Sequence, residues 1–127
     1  MNLEKVVFAF FIVLALTLNF GFFVGDIGDP VLHSVYELFA ALVVSLIATV
    51  MKFGDRTHLG AVLLATSLVA DLQLVAAVVV WGAAVYVAQV GLTTHVMAGI
   101  VSLSGGALLA NITSVVLLVV ETVMLRR

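Results

Sequence analysis

Apolar residues along this chain fall in four long blocks, Val6 to Gly25, Val35 to Phe53, Leu59 to Val87 and Val96 to Leu125, separated by short polar stretches. Each block has at least ~18 residues, enough to cross a hydrocarbon core of about 30 Å at about 1.5 Å per residue. The blocks lack the period-two alternation of a membrane β-barrel. Short connections make consecutive helices antiparallel neighbours. The expected fold is therefore an all-α membrane protein, a single domain over residues 1–127 with four transmembrane helices in an up-down-up-down bundle. The last two blocks exceed what a crossing requires and are expected to tilt, kink or project beyond the bilayer. The first block follows Lys5 as a signal peptide's apolar region would, but it is longer than such a region and no small-x-small site follows it, so it is read as a retained span.

Composition agrees with that pattern. Of 127 residues, 65% are apolar and 9% charged, and the mean hydropathy is +1.37, whereas soluble domains are about 45–50% apolar. Little chain remains for a domain outside the bilayer, and a formal charge of −2 carries no nucleic-acid footprint. Any function is expected among the helices, in contact with lipid. The absence of cysteine removes disulfides, thiol catalysis and cysteine metal sites.

The basic residues give an orientation. Lys5 precedes the first span, Lys52 and Arg56 flank the connection between the second and third, and Arg126 and Arg127 end the chain, all on one side. The opposite connections contain no Lys or Arg, so the positive-inside rule puts both termini in the cytoplasm. Phe8, Phe10 and Phe11 near one end of the first span, and Phe20, Phe22 and Phe23 near the other, suit either an interfacial belt or ordinary packing.

Within this apolar background a few polar residues stand out. Asp71 and Gln73 lie near the middle of the third span, where a charged side chain costs roughly 2.5–3.5 kcal/mol on insertion scales and is expected to face a bundle interior or a wet cavity. Counting rise from the membrane entry points, Asn111 of the fourth span and Asn19 of the first come to about the same depth. An acid and amides at one level make an ion or proton site of Asp71, Asn111, Asn19 and Gln73; the alternative is structural glue between helices, for which amides alone would serve.

Other polar positions have plainer readings. Asp26 and Asp29, in a Gly- and Pro-containing connection, form an outer acidic loop with Glu37; as a cation funnel it competes with an ordinary polar turn. Ser34 and Glu37 fit a capping box, which would give Glu37 a structural role. Ala41, Ser45 and Thr49 recur every four residues and are expected to admit a neighbouring helix closely. In KFGDRTH, Asp55 or Thr57 suits the N-cap of the third helix, and the basic residues suit lipid headgroups. His33, His58 and His95 sit at helix ends on both sides, unlike the axial ligands of a membrane haem, so no metal site or cofactor is expected.

Ser102, Gly106, Ala110 and Ser114 form a four-residue repeat of small residues in the fourth span, read as a helix-packing ridge. Gly105-Gly106 also admits a broken helix around an ion. Glu121, close to the inner end, is expected to snorkel beside Arg126 and Arg127.

Four spans in so short a chain resemble small multidrug resistance exporters and fluoride channels, but the exporters' embedded first-helix Glu and the channels' Gly- and Thr/Ser-rich third-helix break are absent. The stretches NFGFFVGDIGDP, KFGDRTHLGAVLLATSLVADLQL and SLSGGALLANI are similar to a family of small bacterial inner-membrane proteins without an established activity. That resemblance implies a multi-pass protein of the bacterial inner membrane and supplies no functional residues. The leading expectation is a homo-oligomeric channel or transporter for a small cation or proton, with Asp71 multiplied into a ring. The alternative is an accessory or assembly subunit of a larger membrane complex. No nucleophile beside a base, metal cluster or phosphate loop points to an enzyme.

Overall fold

The computed structural model describes residues 3–24, 35–54 and 57–125. It contains four helices: α1 (Leu3–Phe23), α2 (Val35–Lys52), α3 (His58–Gly82, continued by a wider π-helical turn at Ala83–Val87) and α4 (Thr94–Leu125). All four are long and apolar enough to cross a membrane, and the protein is a multi-pass membrane protein whose outer surface meets lipid. Each helix packs beside its successor, and α1 closes the bundle against α4.

The side chains turned inward recur every three or four residues, as a helix face requires. Phe8, Ile12, Ala15, Asn19 and Phe22 do so on α1, and Leu38, Ala41, Ser45, Ala48, Thr49 and Lys52 on α2. Gly60, Leu63, Ser67, Ala70, Asp71, Leu74 and Ala77 follow on α3. Two apolar clusters result, one around Phe22, Leu38, Leu74, Met97 and Ile100, the other around Phe8, Ile12, Ala48 and Leu63. The buried polar residues Asn19, Ser45, Ser67 and Asn111 come between them in chain order on all four helices, so a polar layer crosses the middle of the bundle. Large apolar side chains such as Val50, Leu72, Val79 and Leu109 point outward, which is costly in water and free of that cost in lipid.

Helix ends follow local chemistry. Thr57 Oγ1 accepts the Gly60 N–H at 2.9 Å and caps α3; Asp55, the other expected cap, is outside the described residues. Thr93 Oγ1 accepts the Val96 N–H at 3.1 Å at the start of α4. The exit from α3 closes on the Ala84 carbonyl, which accepts from the N–H groups of both Val90 and Gly91. Gly91 takes φ +74° there, a conformation that suits a residue without Cβ.

Gly105 and Gly106 leave α4 unbroken. A Cβ at Gly105 would come 2.9 Å from the Phe23 ring on α1, and one at Gly106 would come 3.0 Å from the Gln73 amide carbon on α3. Adjacent glycines thus admit two different helices, and the pair serves packing, with no unwound segment. Phe8 and Phe22 belong to the core while Phe10 and Phe20 face outward, so the six phenylalanines of α1 divide between packing and surface. Glu121 pairs with Lys5 at 3.6 Å, joining α4 to α1; its expected partners Arg126 and Arg127 are outside the described residues. Lys52 is nearly buried, with its ammonium 4.3 Å from the centre of the Phe8 ring, and so turns into the bundle end where a headgroup anchor was expected to turn out.

Candidate functional site

Asp71 is 6% exposed. It sits one turn after Ser67 on the inward face of α3, and its side chain points toward α2. There Ser45 Oγ donates to Asp71 Oδ1 at 2.6 Å, and Thr49 Oγ1 donates to Asp71 Oδ2 at 2.5 Å. Both lengths fall in the range of O–H···O⁻ bonds, which are about twice as strong as neutral ones. The Thr49 hydroxyl also lies 2.9 Å from the Ser45 carbonyl. Its one hydrogen therefore has two acceptors, and the carboxylate is the nearer. Ser45 and Thr49 are one helical turn apart, so a single face of α2 presents one hydroxyl to each carboxylate oxygen.

The sequence reading surrounds Asp71 with amides; the structure surrounds it with hydroxyls. Asn19 and Asn111 come together as a separate pair, both fully buried. With the Asn19 amide oriented to satisfy its surroundings, its nitrogen donates to the Ser104 carbonyl at 3.0 Å. Its oxygen accepts from the Leu108 N–H at 3.0 Å and from Asn111 Nδ2 at 3.2 Å. Asn19 thus spans the two backbone groups of one turn of α4 and ties α1 to it. Gln73 is half-buried and packs on Gly106.

Of the predicted ridge on α4, Gly106 contacts α3 through Gln73, Ala110 packs against the apolar core, and Ser114 Oγ lies 2.6 Å from Thr66 Oγ1. Ser102 is exposed on the outer surface. The inward row of α4 is instead continued by Ser104, Ala107 and Asn111. Asp26, Asp29 and Ser34 lie outside the described residues. Glu37 reaches across to α1, where a Cβ on Gly21 would collide with its carboxylate; a carboxylate resting on a glycine backbone joins α2 to α1 near one end of the bundle.

Two further polar atoms in the buried layer matter. Ser67 Oγ and Asn111 Oδ1 are buried with no hydrogen-bond partner among the described residues, against the usual pairing of buried polar groups. Ser67 is the functional candidate the sequence reading passed over: it precedes Asp71 by four residues, which puts it on the same helix face. The layer as a whole offers carboxylate, hydroxyl and amide oxygens, a set that binds protons and hard cations. Among the described residues no three His, Asp or Glu side chains gather as a metal site.

No curated protein and no solved structure matches the chain significantly. A family match covers residues 32–122, most of the chain from the approach to α2 through nearly all of α4. The chain belongs to DUF6394, a family of unknown function.

Proposed function

We propose that the protein moves a small cation or a proton across the membrane by way of Asp71. The observation that carries this reading is the Asp71 carboxylate, 6% exposed in the middle of a membrane helix and held by two hydroxyls. A carboxylate is a costly way to join two helices where an amide would serve. Hydroxyls suit an exchanging site because each can donate to the bare carboxylate or turn its lone pairs to a bound cation. Because Asp71 faces α2 of its own bundle, the path proposed here runs through each four-helix unit, and a ring of Asp71 around an axis between protomers is not required.

Purified protein in liposomes tests the reading. An imposed Na⁺ or proton gradient should drive flux through the wild type, and Asp71→Asn, which keeps size and most hydrogen bonding, should abolish it while the protein still assembles. Flux unchanged by Asp71→Asn would make the residue structural. A wild type that conducts nothing, together with an Asp71→Asn variant that loses only stability, would favour an assembly subunit of a larger complex.

A further inference from the structure

We infer that the polar layer is a binding site for a dehydrated monovalent alkali cation, in which Ser67 Oγ and Asn111 Oδ1 complete a set of oxygens begun by Asp71, Ser45 and Thr49. The helix register brings these residues to one level of the bundle. Gln73 meets Gly106, and Thr66 meets Ser114. In the antiparallel α3–α4 pair those two contacts set Asn111 level with the turn between Ser67 and Asp71. Ser67 and Asn111 are both fully buried, so both face the bundle interior at that level. Ser45 and Thr49 reach it from α2 through Asp71.

The two oxygens without partners point to a ligand. Buried polar atoms in native proteins are nearly always paired, yet among the described residues Ser67 Oγ and Asn111 Oδ1 stand unpaired at the level of a buried carboxylate. Asn19 holds Asn111 by its Nδ2 hydrogen, which fixes the amide so that its carbonyl oxygen remains available. An oxygen-only set of carboxylate, hydroxyls and amide carbonyl matches hard cations. Charge selects the valence. Among the described acids, Glu37 lies toward one end of the bundle on α2, Glu4 lies in the first turn of α1 and Glu121 pairs with Lys5 at the other end, leaving Asp71 the only acid of the layer. One carboxylate balances one monovalent charge, whereas a divalent ion would leave an uncompensated charge in a low-dielectric interior.

This inference deepens the reading of Asp71 as an exchanging carboxylate and rests on it for its biological use, but it is tested by binding alone. Thermal unfolding of the purified protein in detergent, at constant ionic strength, should show a saturable rise in Tm with NaCl relative to choline chloride. Ser67→Ala removes an oxygen that makes no hydrogen bond within the described protein. Its Tm in choline chloride should therefore equal or exceed that of the wild type, while its rise with Na⁺ should be lost or shifted to at least tenfold higher concentration. Asp71→Asn should abolish the rise. Equal Tm in Na⁺, Li⁺, K⁺ and choline would overturn the proposal and leave the two oxygens to bound water; so would a Na⁺ response that Ser67→Ala leaves intact. Binding without liposome flux would sink the transport function and leave the cation site standing, whereas proton flux that needs Asp71 in a protein with no alkali-cation response would do the reverse.

Discussion

Ser45 Oγ donates to Asp71 Oδ1 across 2.6 Å, so the acid of α3 is satisfied from the helix that immediately precedes it in the chain. Thr49 supplies the second donor one turn along. The two contacts make α2 and α3 a clamped hairpin, with the clamp in the buried polar layer of the bundle.

Thr49→Val preserves shape and removes one donor from a buried carboxylate. Interhelical side-chain bonds in membranes are worth about 0.6–2 kcal/mol, and hydrogen bonds to charged groups lie at the upper end or above. The variant should lose about 1–2 kcal/mol, measured by unfolding in detergent. In an Asp71→Asn background the same substitution should cost clearly less, because the charged acceptor is gone. A double-mutant cycle with no coupling would mean that the Thr49 hydroxyl is spent on the Ser45 carbonyl.

Gly106→Leu should separate α3 from α4, because even a Cβ at this position would come 3.0 Å from the Gln73 amide. Folding yield and Tm should both fall, by more than the roughly 1–3 kcal/mol typical of overpacking, since a whole isobutyl group must be accommodated. Ser102→Leu serves as the control. Ser102 is exposed on the same helix, and its replacement should leave Tm within about 0.5 kcal/mol equivalents of wild type. Equal damage from both would mean that the surface around Ser102 is also a packed interface.

These two cases show what the sequence made legible and what it did not. Four helices and their approximate limits followed from block length and hydropathy, because a bilayer crossing imposes both. The common level of Asp71, Asn19 and Asn111 followed from rise per residue. Partnership did not, because depth places residues on a level and says nothing about azimuth. Asn19 and Asn111 found each other across α1 and α4, while Asp71 turned to α2. The signal for that choice was present in Ser45 and Thr49, hydroxyls one turn apart on an obligatory neighbour, although small residues at this spacing read equally as a packing row. Ser102 failed as a ridge member for a related reason. A strict four-residue repeat drifts around a helix of 3.6 residues per turn, so Ser102 at one end reaches the outer surface while Ser114 at the other stays inside.

The orientation argued from Lys5, Lys52, Arg56, Arg126 and Arg127 is open to direct measurement. Reporter fusions at the C-terminus and in the connection at residues 54–57 should read cytoplasmic, and fusions in the connection at residues 91–94 should read external. A C-terminal fusion that reports both sides would mean that the bundle inserts in two orientations.

Lys5–Glu121 ties the ends of α1 and α4 at 3.6 Å, but the Lys5 side chain is half exposed. Solvent and headgroups screen such a pair, and exposed ion pairs contribute about 0–1 kcal/mol. Glu121→Gln should therefore change Tm little, and what stabilisation the pair gives should vanish at high salt. A loss comparable to that of Thr49→Val would show that the pair is buried by lipid or by another chain.

Asn19→Leu tests whether the amide pair is a unit. Leucine approximates the shape of asparagine but offers no polar group, so the substitution leaves the buried Asn111 Nδ2 without the acceptor that Asn19 supplies. The Leu108 N–H and the Ser104 carbonyl, which also contact Asn19, stand one helical turn apart and can bond each other within α4. The loss should thus come mainly from Asn111, at about 1–3 kcal/mol for an unsatisfied buried group. Replacing both partners removes the stranded group as well as the bond, and the Asn19→Leu/Asn111→Leu double variant should recover much of the stability lost by either single one. Because Asn111 Oδ1 belongs to the inferred cation set, the same double variant should unfold at a temperature insensitive to Na⁺. A double variant whose loss equals the sum of the two single losses would mean that the two amides do not act as a pair.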